Sequence, residues 1–135
     1  MNLNELAKEI HENAVDKGFF DYEKNIGEML CLIHSEVSEA LEADRENKYY
    51  SGSVTNQQWF IRGMADKNYG QTFHDDNFFK EQFENRVKNT FEDELADVII
   101  RVLDLCAHKD IDIDSHVKAK MRYNTMREYK HGKKY

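Results

Sequence analysis

Two stretches of this 135-residue chain put carboxylates beside residues that mark a core. HSEVSEALEA, residues 34–43, sets Glu36 and Glu39 three apart directly after the apolar run MLCLI at 29–33. FEDELADVIIRVLDLC, residues 91–106, repeats the spacing with Glu94 and Asp97. On a helix, residues three or four apart are neighbours on one face. Glu36 stands three after Ile33 and four before Ala40, at the edge of the stripe Ile26, Met29, Leu30, Ile33, Val37, Ala40 and Leu41. Glu94 stands three after Phe91 and four before Val98, with Asp97 beside it. A solvated acidic face is the ordinary explanation of a Glu-x-x-Glu pair. Two such pairs on helices that must pack together in a small domain point elsewhere. Four carboxylates at a helix interface repel one another and lose hydration, unless a cation compensates. An all-oxygen ligand set suits a hard ion, Mg2+ or Mn2+, better than zinc. A di-iron bundle would want Glu-x-x-His on two of its helices. Neither His34 nor His108 stands three residues after a Glu, and His34 is expected to pack or lie on a helix surface.

The elements that must position these acids are helical. The chain has no proline and only six glycines, and its length suits a single domain spanning 1–135. Leu3, Leu6, Ala7, Ile10 and Ala14 repeat at helical spacing, which predicts a first helix over about 4–17 with Gly18 as its stop. An aromatic turn, GFFDYEKN, leads to a second helix over about 25–47 that carries Glu36 and Glu39. Residues 48–75 are the least regular, with Thr55 as a candidate cap for a short helix through Met64. From about Asp76 the helical pattern resumes, with Phe79, Phe83, Val87 and Phe91 on one face. It continues either as one long helix to about Ala107 or with a break near Asn89-Thr90, where Thr90 can serve as an N-cap. Asp114 is the expected N-cap of a last helix through about Tyr129.

Charge is divided unevenly. From Ser115 to Tyr135 seven Lys or Arg face the single acid Glu128, a balance of +6, so the other 114 residues carry −13. An acidic body with a basic end suggests cations held in one place and anions in another. A solvated cationic terminus or a nucleic-acid tail would also explain the basic end. Nucleic acid is disfavoured by the acidic remainder and by the lack of a recognisable binding motif. No apolar run approaches the length of a membrane span and the first residues, MNLNELAKEI, lack the pattern of a signal peptide, so a cytoplasmic protein is expected. Cys31 and Cys106 match no zinc spacing and are expected to be buried, reduced thiols.

With these residues in view, the chain resembles the all-α, MazG-like nucleoside triphosphate pyrophosphohydrolases. EVSEALEA matches the first half of that family's acidic motif and EDELADVIIRVLDL the second. KMRYNTMREYKHGKKY is similar to the closing segment of a MazG-like subfamily. The chain departs from compact members in one respect: 54 residues separate Glu39 from Glu94. The resemblance implies a bundle of four main helices, with one or two more in the 48–89 insertion, forming a homodimer or homotetramer. It implies hydrolysis of a (deoxy)nucleoside triphosphate between the α and β phosphates, to a nucleoside monophosphate and pyrophosphate, in nucleotide-pool cleaning. Glu36, Glu39, Glu94 and Asp97 would hold Mg2+ and carry the catalysis. Lys120, Asn124 and Arg127, at i, i+4 and i+7, would reach the triphosphate, assisted by Lys130 and Lys133. Trp59, Phe60, Tyr69 and Phe73 of the insertion are either a cap on the core or a stacking surface for a base. The competing expectation is a catalytically silent helical module that binds a nucleotide or a protein partner.

Overall fold

The computed structural model describes residues 2–52 and 76–128. Among them are five α-helices and no strand: α1 (Leu3–Asp16), α2 (Ile26–Arg45), α3 (Asp76–Arg86), α4 (Phe91–His108) and α5 (Ile113–Thr125). The all-α class is therefore present. α3 falls in the 48–89 segment, while Thr55, Trp59, Phe60, Tyr69, Phe73, Lys130 and Lys133 lie outside the described residues. No described helix is long and apolar enough to cross a membrane.

The helices end where local chemistry ends them. The Asn2 side chain caps α1 by accepting from Asn4 N at 2.9 Å. At the other end Gly18 takes φ +80°, Gly18 N donates to Val15 O and Phe19 N donates to Ala14 O, closing a Schellman turn. The same closure recurs without glycine after α2, where Asn47 takes φ +53° and Lys48 N reaches Ala43 O, and after α4, where Asp110 takes φ +53° and Ile111 N reaches Cys106 O. Asn and Asp tolerate this left-handed region better than other residues with a Cβ. The long segment from Asp76 does break near Asn89-Thr90. Asn89 takes φ +62°, and Thr90 Oγ1 accepts from Asp93 N at 3.4 Å to open α4.

Two expectations at the last helix are corrected. Its N-cap is Asp112, which accepts from Ser115 N at 3.1 Å, and Asp114 lies in the first turn. The choice is made by distant partners. Asn4 Nδ2 donates to Asp112 Oδ1, while Asp114 is buried and accepts from Leu3 N at 3.3 Å. The helix also stops at Thr125, not near Tyr129. Met126 N bonds Tyr123 O and Arg127 N bonds Asn124 O, a tightening that terminates the α-helix.

The chain divides into two compact units, Met1–Ile33 with Ile99–Tyr135, and His34–Val98. In the first, α1 packs on α5, and Ala7, Met29, Leu103 and Cys106 are buried. Phe20 sets its ring 4.6 Å from His11 and 5.1 Å from His108. In the second, the buried residues among those described are Ala40, Ala43 and Val87 together with Glu36 and Glu94. Two carboxylates thus belong to the buried residues of this unit.

This burial corrects the phase read for α2. Of the stripe read there, Met29 and Ala40 are buried as expected, but Ile26, Leu30, Val37 and Leu41 are exposed; the buried face runs through Met29, Glu36, Ala40 and Ala43. Glu36 is on that face, not at its edge. Cys31 is exposed, not buried as expected, whereas Cys106 is buried and its thiol pKa is raised by desolvation. His34 is on the helix surface.

Candidate metal centre

Glu36 and Glu39 share one face of α2 because they stand three apart. Glu94 enters from α4 at the fourth residue of that helix, its own N–H bonded to Thr90 O at 3.0 Å. One carboxylate oxygen from each of the three lies within 4.8 Å of the others. Glu36 and Glu94 are each 6% exposed, and Glu39 opens to solvent. Asp97 is half-buried one turn beyond Glu94; it is outside this group of three, but its charge acts on Glu94.

The electrostatics are clearest at Glu94. Burial pushes the Glu94 carboxyl pKa up, and the charges of Glu39, Asp93, Asp97 and Glu36 push it further the same way. No hydrogen bond or ion pair to the Glu94 side chain occurs among the described residues, although 94% of the residue is withdrawn from water. A buried, unpaired carboxylate is costly to ionise. A divalent cation would supply the missing charge, and three oxygen donors on two helices suit Mg2+ or Mn2+. The residues present fit that ion.

The wall beside the acids is clasped. Phe91 N donates to Lys48 O at 2.8 Å, Tyr50 N donates to Glu92 Oε2 at 2.8 Å, and the Tyr49 and Phe91 rings stand 5.2 Å apart. Asn89 N donates to Asp93 Oδ2 at 2.9 Å. Between this wall and the last turns of α2 opens a cleft of about 410 Å³, which Glu39 and Glu94 also line. Sequence reasoning located Asn89 as a break but missed Lys48, whose neighbour across the cleft is distant in the chain.

The expected phosphate-binding residues are distributed differently from a single helical face. Lys120 and Asn124 are exposed on α5, with Lys120 Nζ 5.1 Å from the Tyr123 ring centroid. Arg127 is exposed beyond the helix end, so the i, i+4, i+7 argument does not extend to it.

The chain matches no family model, no curated protein and no solved structure.

Proposed function

We propose that this protein is a divalent-cation-dependent nucleoside triphosphate pyrophosphohydrolase of the MazG-like kind. The observation that carries the reading is Glu94, buried, unpaired among the described residues and grouped with Glu36 and Glu39 at ligand-sharing distance. Glu36, Glu39 and Glu94 would hold Mg2+, or Mn2+, with Asp97 completing the acidic set. Such an ion would supply charge neutralisation for the phosphates and a lowered pKa for bound water. Glu39, the solvent-exposed member, would accept a proton from an attacking water. That water forms a bond to the α phosphorus as the bond from phosphorus to the α–β bridging oxygen breaks. The bridging oxygen leaves with pyrophosphate, and the nucleoside monophosphate keeps the new oxygen. Lys120, Asn124 and Arg127, with Lys130 and Lys133, supply cationic and amide donors for the phosphates.

The fold in this reading is a four-helix MazG-like bundle with an insertion, assembled as a homodimer or homotetramer, and the biological role is nucleotide-pool cleaning. The test is to incubate the pure protein with Mg2+ and a panel of natural and modified triphosphates, measuring pyrophosphate and monophosphate. Equimolar release that EDTA abolishes is expected. Binding without release, or orthophosphate in place of pyrophosphate, would overturn the reading and leave a silent binding module.

A further inference from the structure

Away from the carboxylates, α1 and the end of α4 bring two imidazoles together. Asp104 and His108 stand four apart on α4 and so share a face, which His11 of α1 meets. His11 Nδ1 lies 2.7 Å from Asp104 Oδ1, and both side chains are largely withdrawn from water. An ionised carboxylate only accepts, so Nδ1 carries the proton and Nε2 keeps a free lone pair. The His11 and His108 rings are 5.8 Å apart between centroids and tilted by 52°. Phe20 closes the group, 4.6 Å from His11 and 5.1 Å from His108. Among the described residues Asp104 is the one hydrogen-bond partner of the His11 ring, and the His108 ring has none.

This is the environment of a histidine that ligates a metal. Such an imidazole offers one nitrogen to the ion and donates its other N–H to a carboxylate, which fixes the tautomer and the ring plane. Asp104 does this for His11. A tetrahedral ion with metal–nitrogen bonds of about 2.0–2.1 Å sets two imidazole centres about 5 Å apart. The observed 5.8 Å is within a side-chain adjustment of that spacing. Phe20 supplies the apolar shell that shields such a site. His11 also lines a cavity of about 450 Å³, which leaves room for water at the remaining coordination positions. Lys24 Nζ lies 5.1 Å from the Phe20 centroid and, with Arg101, lines a small cavity beside Asp104, so their charge limits the affinity. Imidazole nitrogen suits the borderline ions Zn2+, Cu2+ and Ni2+ better than the hard ions that carboxylates take.

We infer that His11 and His108 form a metal site separate from the carboxylate group, taking a borderline divalent ion such as Zn2+, with Asp104 as its positioning residue. The inference does not depend on the triphosphate reading. An ion held there ties α1 to the last turn of α4.

The experiment titrates the metal-free protein with Co2+, follows visible absorption, and then displaces the Co2+ with Zn2+. Four-coordinate Co2+ with nitrogen ligands absorbs strongly, and Co2+ in an octahedral, all-oxygen site absorbs faintly, so the spectrum tells the two sites apart. A strong band that Zn2+ displaces and Glu94→Gln leaves intact is expected. His11→Gln and His108→Gln should each abolish it, while His34→Ala and His116→Ala should change nothing. Asp104→Asn should keep the band and weaken Zn2+ binding by about 10–100-fold. Circular dichroism verifies that each variant folds. Zn2+ should also raise the melting temperature of Glu94→Gln, and leave Glu94→Gln combined with His108→Gln unmoved. A strong band that survives the His11 and His108 substitutions belongs to other residues and overturns the site. Absorption of the faint kind alone overturns it as well. An affinity unmoved by Asp104→Asn would overturn the positioning role.

Discussion

Asn4 Nδ2 donates to Asp112 Oδ1 at 2.7 Å, while Asn4 Oδ1 accepts from Asp114 N at 3.1 Å. One amide thus satisfies both the cap and the first turn of α5 from the start of α1. Hydrogen bonds from Asn4 and Ser115 hold the Asp112 carboxyl down to about 2 from its ordinary 3.8. Since the folded state binds that proton more weakly than the unfolded chain, its stabilisation is present above pH 3.8 and is lost as pH falls towards 2. Asn4→Ala should lower the melting temperature at pH 7 by roughly 3–6 °C. The difference from wild type should shrink below pH 3.8 in melts followed by circular dichroism.

Glu94 has the opposite sign. Its raised carboxyl means that the folded protein binds the proton more tightly than the unfolded chain does. Without added cation, this group makes stability fall as pH rises from the ordinary 4.5 towards the raised value, and the loss persists above it. Glu94→Gln should remove that fall and melt a few degrees above wild type at pH 7 in EDTA. Mg2+ at ten times its Kd should stabilise the wild type by about 1.4 kcal/mol and leave Glu94→Gln unmoved. Identical pH profiles for the two proteins would remove Glu94 from the account.

The left-handed Asp110 closes α4 with a side chain that glycine would relieve. Asp110→Gly should be neutral or stabilising by up to about 1 kcal/mol, and Asp110→Val should destabilise by about 1–2 kcal/mol. Urea unfolding of the pair measures both. Equal stability would show that this turn does not constrain its residue.

On α2 the exposed residues Ile26, Leu30, Val37 and Leu41 are 36%, 47%, 50% and 48% accessible, an apolar stripe larger than a helix needs in water. Light scattering should return a multiple of 16.0 kDa. Val37→Glu with Leu41→Glu should move the mass towards that of a single chain. A single-chain mass for the wild type would retire the homo-oligomer.

That stripe also shows where sequence periodicity stops. α2 carries two apolar phases, a bulky one through Leu30 and Val37 and a small one through Ala40 and Ala43, and only burial distinguishes them. The bulky phase is the natural choice from side-chain size, and it sets Glu36 at the edge of the core instead of within it. Helix ends were more legible, because Gly18 and Thr90 act through bonds to near neighbours. Asp112 and Asp114 are both competent caps, and bonds across 108 and 111 residues decide between them. The grouping of Glu36, Glu39 and Glu94 was readable as spacing, whereas the pairing of His11 Nδ1 with Asp104 at 2.7 Å across 93 residues left no local trace.

The clasp of Phe91 on Lys48 has a consequence for how this protein can diverge. It closes a loop of 42 intervening residues at the foot of α4, beside the acids. The entropy of closing such a loop grows only with the logarithm of its length, so doubling or halving it changes stability by about 0.6 kcal/mol. The spacing between Glu39 and Glu94 along the chain is thereby uncoupled from their spacing in three dimensions. Segments inserted or deleted between the clasped residues would leave the carboxylates in register, which makes this stretch a natural port for acquired specificity.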